Sequence, residues 1–118
     1  MFELQIEDTF DAAHALRGYD GPCENLHGHT WRVQVFFRGD KLNDLGILID
    51  FKTVKKLLKE LLDQYDHKNM NELVEFNASN PSSENLAKSI YLQLQPQLKG
   101  LNKVTVWESA TTAASYQP

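Results

Sequence analysis

Two histidines separated by one residue, His27 and His29, open the clearest strand pattern in the sequence. Residues two apart on an extended backbone point to the same face. The two imidazoles therefore lie side by side, and Gly28 between them adds no bulk. A catalytic zinc ion with an open position is typically held by three protein ligands. The pair thus indicates a metal site that needs a third ligand, although ordinary surface histidines are the alternative.

His14 is the candidate third ligand. It lies near the far end of the first predicted strand, where an adjacent strand would bring it over the pair. An all-imidazole ligand set favours zinc, although copper, nickel and iron also accept it.

Three further residues have side chains suited to proton transfer. Cys23 follows Gly-Pro in a polar loop near the predicted ligands, where a metal or cation would favour the thiolate. A small buried hydrophobe is the other interpretation of Cys23. Asp66 directly precedes His67 and could orient it and raise its basicity for moving a proton. A solvated helix end is the alternative for that pair.

Glu108 is the odd residue of its predicted strand. It follows Val104 and Val106 on the same face, so it lies either at a wet end of the sheet or against a ligand. Together these residues predict a metal-dependent acid/base enzyme.

The hydrophobic pattern predicts the elements that must position these residues. Apolar residues alternate from Phe2 to Phe10 and again from Trp31 to Phe37, as in half-buried strands, and the second row continues the parity of His27 and His29. The later elements are a hairpin-type connection over 39–46, a short strand over 47–49, a helix capped by Asp50, a helix capped by Ser82 or Ser83 and stopped by Pro96, a strand around Val104 and Val106, and a short strand over 113–116. The order predicts an α+β protein with an antiparallel sheet and its helices on one face.

Composition narrows the function classes. The chain has 118 residues, of which 42% are hydrophobic, so we expect one domain over residues 1–118. A net charge of −4 argues against a general binder of nucleic acid or anionic membranes. No apolar run approaches membrane-spanning length. The single cysteine favours the cytoplasm, because a lone thiol is a liability in an oxidising compartment.

Several segments, taken in order, resemble the 6-pyruvoyltetrahydropterin synthase family and its bacterial branch, 6-carboxy-5,6,7,8-tetrahydropterin synthase of the queuosine pathway. They are residues 10–14, Cys23 with residues 27–29, residues 50–51, Asp66-His67 followed by Asn71, and residues 81–87. The resemblance covers nearly the whole chain. It implies a tunnelling fold with a four-stranded antiparallel sheet, two helices and the order ββααββ. It also implies a homohexamer of two trimers with active sites between subunits.

The resemblance further implies residue roles. His14, His27 and His29 would bind Zn²⁺, and Cys23, Asp66 and His67 would transfer protons, the last two from a neighbouring chain. Glu108 would grip the pterin ring, and Ser83 and Glu84 would help at the pterin pocket. Arg17, Lys68 and Lys88 are the candidates for meeting the triphosphate.

The implied activity is that of a zinc-dependent lyase acting on 7,8-dihydroneopterin triphosphate. Triphosphate would be eliminated, and in the carboxy branch the side chain would then be cleaved with loss of acetaldehyde. The alternatives are a 6-pyruvoyltetrahydropterin synthase, which does not cleave the side chain, and a non-catalytic member of the fold that binds a pterin or purine. Glu24 beside Cys23 leaves open a side activity on dihydroneopterin, because some relatives use a glutamate near this position.

Overall fold

A long antiparallel pair of strands forms the centre of the structure, a computed structural model that describes residues 1–118. Strand β1 (Phe2–His14) pairs with β2 (His27–Gly39) along its whole length, from Phe2 opposite Gly39 to His14 opposite His27. The pairing places the three candidate histidines, His14, His27 and His29, at one end of the sheet.

The full sheet has five strands, in the order β3-β1-β2-β4-β5. Strand β4 (Leu101–Trp107) pairs antiparallel with β2, and β5 (Ala113–Tyr116) pairs antiparallel with β4. Strand β3 (Lys68–Asn69) instead pairs in parallel with β1. The prediction of a four-stranded, wholly antiparallel sheet was therefore wrong in this detail. A strand of two residues is too short to show an alternating pattern in the sequence.

The two helices, α1 (Phe51–Leu62) and α2 (Ser83–Leu94), begin at side chains that cap them. Asp50 Oδ1 accepts a hydrogen bond from the N–H of Lys52 at 2.9 Å, and Ser82 Oγ accepts one from the N–H of Asn85 at 3.1 Å. Such bonds satisfy N–H groups that have no partner within the helix. Both helix starts agree with the prediction.

A single cluster of 22 buried apolar residues joins the helices to one face of the sheet. It includes Phe10 from β1, Trp31 and Val33 from β2, Leu58 from α1 and Leu86 from α2, each at most 2% exposed. The predicted placement of the helices on one face agrees with this core. No helix has the length and apolar character needed to cross a membrane.

One predicted strand is absent. Residues 47–49 lie in an irregular segment, because the whole stretch over 40–50 leads from β2 to α1 without forming a strand or a hairpin. Leu48 and Ile49 are apolar because they pack against the core, and no strand pairs with them.

Candidate metal centre and proton-transfer groups

The register of β1 and β2 brings three imidazoles together. His14 lies directly opposite His27, and His29 lies opposite Ala12 on the same face. The ring centroids are 4.6 Å apart for His14 and His27, 4.8 Å for His27 and His29, and 5.2 Å for His14 and His29. The structure thus assembles the histidine set that the sequence predicted.

Backbone carbonyls orient two of the rings. Nδ1 of His14 lies 2.7 Å from the carbonyl oxygen of Pro81, and Nδ1 of His27 lies 2.7 Å from that of Asn25. A carbonyl oxygen only accepts, so each Nδ1 must carry the proton and donate it. In the neutral rings the lone pair therefore lies on Nε2, which is the arrangement that metal-binding histidines commonly show.

The Nε2 atoms converge with one carboxylate oxygen. Oε1 of Glu108 lies 3.0 Å from Nε2 of His29, 3.4 Å from that of His14 and 4.0 Å from that of His27. Nε2 of His14 and Nε2 of His29 are buried and make no hydrogen bond. Buried polar atoms without partners are costly, and a shared cation would satisfy these nitrogens and the carboxylate at once. The donor set therefore fits a metal ion.

The pKa of His29 is lowered from its ordinary value, chiefly because burial penalises the charged ring. His14 and His27 lower it further, while Glu108 opposes the shift. A lowered pKa keeps the imidazole neutral, which is the form that binds a metal.

Glu108 follows the end of β4 and is held at both carboxylate oxygens. Oε1 faces the histidines, and Oε2 accepts a hydrogen bond of 3.3 Å from Oγ of Ser83, the first residue of α2. Ser83 is 8% exposed, so two of the predicted substrate-binding residues contact each other at the edge of the histidine set. Glu84, the third, is exposed on the first turn of α2.

Asp66 and His67 form a second group, together with Asp11. Oδ2 of Asp66 lies 3.0 Å from Nδ1 of His67, and Oδ1 accepts a hydrogen bond of 2.9 Å from the N–H of Asp11. That N–H is the main reason why the pKa of Asp66 is lowered. His67 has a backbone φ of 59°, and the side chain is 78% exposed. A left-handed non-glycine residue is strained, so the surrounding contacts hold this imidazole out toward solvent.

The two groups occupy different faces of β1. Successive strand residues point to opposite faces, so Asp11 points away from the face that bears His14. Asp11, Thr30, His67 and Lys68 line an open cavity of about 570 Å³ that His29 also borders. The donor atoms of His67 cluster with those of Asp11 and Asp66, and not with the histidine set of the same chain.

Cys23 belongs to neither group. It is half-buried in a single 3₁₀ turn (Pro22–Glu24) between β1 and β2, and its carbonyl accepts a hydrogen bond of 2.8 Å from the N–H of Leu16. Glu24 beside it is exposed.

The basic candidates for the triphosphate lie in three different settings. Arg17 is exposed, but its guanidinium donates to the carbonyls of Phe76, Ser79 and Asn71 and is therefore already engaged by the backbone. The ammonium of Lys88 lies 5.9 Å over the ring of Tyr116, and Lys68 lines the cavity that also contains His67.

Sequence reasoning missed the groups that orient the site. The carbonyls of Pro81 and Asn25 have no signature in a sequence, because every residue has a carbonyl. The amide side chains of Asn71 and Asn80, which hold the chain beyond His14, were also missed as parts of the site. The only sequence signal for a role of Asn71 was its place in the Asp66-His67 motif that carried the family resemblance.

The fold and the site define an α+β protein with a preformed trihistidine group suited to a metal ion. The sequence model described as 6-pyruvoyl tetrahydropterin synthase matches residues 3–118. The chain belongs to the 6-pyruvoyl tetrahydropterin synthase family.

Individual relatives agree with this assignment. The chain is 36% identical to the 6-carboxy-5,6,7,8-tetrahydropterin synthase of Bacillus subtilis, over 99% of this chain and 86% of that protein. It is 33% identical to the dihydroneopterin monophosphate aldolase of Pyrococcus furiosus, over 85% of this chain and 83% of that protein. The solved 6-pyruvoyl tetrahydropterin synthase of Caenorhabditis elegans superposes with a TM-score of 0.90 at 27% identity, covering 99% of this chain and 95% of that one.

Proposed function

We propose that the chain, acting as one tunnelling-fold domain over residues 1–118, is a zinc-dependent 6-carboxy-5,6,7,8-tetrahydropterin synthase. It would convert 7,8-dihydroneopterin triphosphate to 6-carboxytetrahydropterin, acetaldehyde and triphosphate in the cytoplasm, for the 7-deazaguanine/queuosine pathway. The observation that carries the proposal is the convergence of three imidazole Nε2 atoms on one point, two of them buried without a hydrogen bond. The similarity to the Bacillus subtilis 6-carboxy-5,6,7,8-tetrahydropterin synthase supports a pterin product.

His14, His27 and His29 would hold the zinc ion. When bound, the ion supplies Lewis acidity toward the hydroxyls of the substrate side chain. The carbonyls that fix Nδ1 of His14 and His27 keep both rings in the required tautomer, so the ligands are in place before metal binds.

Cys23 and His67 would move protons between carbon and oxygen of the substrate side chain. Asp66 would keep Nδ1 of His67 protonated, because its Oδ2 lies 3.0 Å from that nitrogen, and leave Nε2 to accept a proton. Cys23 is half-buried between the ligand-bearing strands, where a bound cation would favour its thiolate.

Glu108 would bind the pterin ring through adjacent N–H donors, as carboxylates bind paired donors elsewhere. Ser83 supports this role by donating to Oε2 of Glu108, and Glu84 is assigned to the pocket edge. Lys68 is the remaining basic candidate for the triphosphate, because it lines the cavity beside His67.

The active site would be completed between subunits of a homohexamer built from two trimers. The support is that Asp11, whose N–H binds Asp66, points away from the face that bears His14, and that His67 is 78% exposed and lies outside the histidine group of its own chain. A second copy would have to bring His67 to the metal centre.

The experiment that tests the function is turnover of 7,8-dihydroneopterin triphosphate by the zinc-loaded protein, with products identified by mass spectrometry. We expect 6-carboxytetrahydropterin and acetaldehyde, and a loss of turnover in the variants Cys23→Ala and His67→Ala. Unchanged turnover in both variants would refute the proton-transfer assignment. A protein that retains zinc and pterin but releases no product would be a binding member of the fold.

An aldolase activity is the second candidate, favoured by the Pyrococcus furiosus relative and by the exposed carboxylate of Glu24 next to Cys23. The same assay distinguishes it, because cleavage of a dihydroneopterin compound without loss of triphosphate would select the aldolase. Release of 6-pyruvoyltetrahydropterin without acetaldehyde would instead select the pyruvoyl branch.

A further inference from the structure

The backbone just beyond His14 is held by two asparagine side chains. Oδ1 of Asn71 accepts from the N–H of Ala15 at 2.8 Å, and its Nδ2 donates to the carbonyl of the same residue at 2.9 Å. Oδ1 of Asn80 accepts from the N–H of Arg17 at 2.9 Å, and its Nδ2 donates to that residue's carbonyl at 3.1 Å. Each carboxamide thus pairs with one residue as a neighbouring strand would.

These two pairings continue the edge contacts of β1 past its last residue. Strand β3 pairs with Ala12 and Ala13. The carboxamides of Asn71 and Asn80 bind the next residues whose backbone groups face outward from this edge, which are Ala15 and Arg17. A carboxamide offers one donor and one acceptor in a plane, like a peptide group, so it can replace a strand that is missing. His14 lies between the strand pairing and the side-chain pairing.

The same loop also fixes the ring of His14. Pro81, which follows Asn80 directly, supplies the carbonyl that binds Nδ1 of His14 at 2.7 Å. Asn85 donates to the carbonyl of Asn80 at 2.8 Å, which ties the loop to helix α2. The position of Asn80 therefore governs both the backbone beyond His14 and the imidazole itself.

Arg17 links the two asparagines. Its Nη2 donates to the carbonyl of Asn71 at 3.0 Å, and its Nη1 donates to the carbonyls of Phe76 and Ser79. The segment that carries the first predicted ligand and the segment that carries Asp66 and His67 are thereby joined into one hydrogen-bonded unit.

We infer that Asn71 and Asn80, which we call the carboxamide clamp, are positioning residues for the metal ligand His14. They set the metal affinity of the site without touching the ion or the substrate. His14 is 1% exposed, whereas the side chains of His27 and His29 are 29% and 23% exposed. A buried ligand has less room to readjust, so displacement of its backbone is transmitted to Nε2. This inference rests on the metal site proposed above.

The test compares the variants Asn71→Asp and Asn80→Asp with Asn77→Asp as the matched control. An aspartate has the same shape but loses the N–H donor and sets a carboxylate against a carbonyl oxygen. Asn77 lies in the same loop, is exposed, and makes no side-chain hydrogen bond. Titration of metal-free protein with Zn²⁺ gives the affinity, and thermal unfolding of the same metal-free samples gives the stability.

We expect each clamp variant to bind Zn²⁺ about 10-fold or more weakly, as is typical when groups that orient metal ligands are altered, and the control to bind like wild type. Co²⁺ absorption in the visible range should also change in the clamp variants only, because it reports ligand geometry. Equal affinity in folded clamp variants, or an equal loss in the control, would overturn the inference.

A purely structural role predicts a different pattern. The unfolding temperature of the metal-free protein would then fall, while the folded fraction would bind Zn²⁺ with wild-type affinity. If the aspartate variants do not fold, Asn71→Ala and Asn80→Ala decide the matter, since they remove the hydrogen bonds without adding charge; failure of these to fold would also overturn the inference. Weak zinc binding by the wild-type protein would instead refute the proposed metal site itself.

Discussion

The carboxylate of Glu108 has contacts that fit two different roles. Its Oε1 lies against all three histidines, as a fourth metal ligand would, while its Oε2 accepts from Ser83 at the predicted ring pocket. Three histidines already form a common ligand set for a catalytic zinc ion with an open position. We therefore assign Glu108 to the substrate and leave the ion to the histidines.

Replacing Glu108 by glutamine tests this assignment. The variant keeps the shape of the side chain but loses its charge, so it should lose a charge-assisted pair of hydrogen bonds to the ring. We expect kcat/KM to fall about 10- to 100-fold, which corresponds to about 1.5–3 kcal/mol, while zinc content stays at the wild-type level. Steady-state kinetics and metal analysis of the purified protein provide the two measurements.

Glu60→Gln is the matched control, since Glu60 is exposed on α1 and makes no side-chain contact with the site. Its kinetics and zinc content should equal those of wild type. Loss of zinc from the Glu108 variant would show that this carboxylate is a metal ligand after all.

Asp66 makes the stability of the folded protein decrease at acidic pH. Its pKa is lowered in the folded state, first by the N–H of Asp11. The contribution to stability is therefore fully present above the unfolded pKa of about 4 and is lost as the pH falls through the lower folded value. In Asp66→Asn the difference in urea midpoint between about pH 6 and about pH 3 should be smaller than in wild type.

The comparison for this prediction is Asp20→Asn, because Asp20 is exposed in a loop and makes no hydrogen bond. That variant should retain the wild-type pH dependence. An equal flattening in both variants would mean that general charge, rather than the bond to Asp11, determines the acid response.

At the scale of the elements, the site depends on where strands and helices begin and end. The three histidines lie at the last residue of β1 and at the first and third residues of β2, Ser83 opens α2, and Glu108 follows β4. The ends of these neighbouring elements meet at one end of the sheet, which brings side chains from four separate segments to one place.

The side chain of Asp50 caps α1 and should contribute measurably to the stability of the protein. Asp50→Ala removes the side-chain acceptor for the N–H of Lys52 and should lower the free energy of unfolding by about 1 kcal/mol. Urea denaturation at neutral pH measures the change. Asp44→Ala, in the preceding loop and without a hydrogen-bonded side chain, should leave stability within about 0.5 kcal/mol of wild type.

At the scale of the whole molecule, the second face of the sheet is not apolar. The guanidinium of Arg32 stacks 4.5 Å from the ring of Trp107, whose Nε1 donates to Gln34 at 2.8 Å. The ammonium of Lys103 lies 4.3 Å over the ring of Phe36 on the same face. Polar groups that cover the aromatic rings are consistent with a face that meets water or a polar channel.

Mixing two inactive variants tests whether active sites are shared between chains. His29→Ala lacks a proposed metal ligand and His67→Ala lacks a proposed proton-transfer group, so neither should turn over substrate alone. If His67 reaches a neighbouring chain, subunits unfolded together and refolded at equal ratio should regain about a quarter of wild-type activity, since random assembly pairs two intact halves at that frequency.

The control is the same pair of variants mixed without unfolding, which should stay inactive unless subunits exchange. Activity that does not return after co-refolding, with wild type recovering fully under the same conditions, would place both groups in one chain and refute the shared site.

Local patterns in the sequence determined most of the elements. Alternation along β1 and β2, helical spacing after Asp50 and the capping serine before α2 depend only on residues close together in the chain, so periodicity predicted them. The pair His27 and His29 is local in the same sense, because its shared face follows from strand geometry alone. The apolar residues 47–49 were misassigned, since burial and strand pairing produce similar runs.

Only the tertiary structure decided how the distant parts combine. His14 meets His27 because one particular register pairs the two strands, and a shift by one residue would turn a strand's side chains to the other face. The pairing of β3 and the binding of Asn71 and Asn80 to the backbone beyond β1 depend on contacts between segments more than fifty residues apart. Such contacts leave no periodic signal in the sequence. The sequence named the ligands because their chemistry is intrinsic to the residue, whereas their convergence depends on long-range pairing.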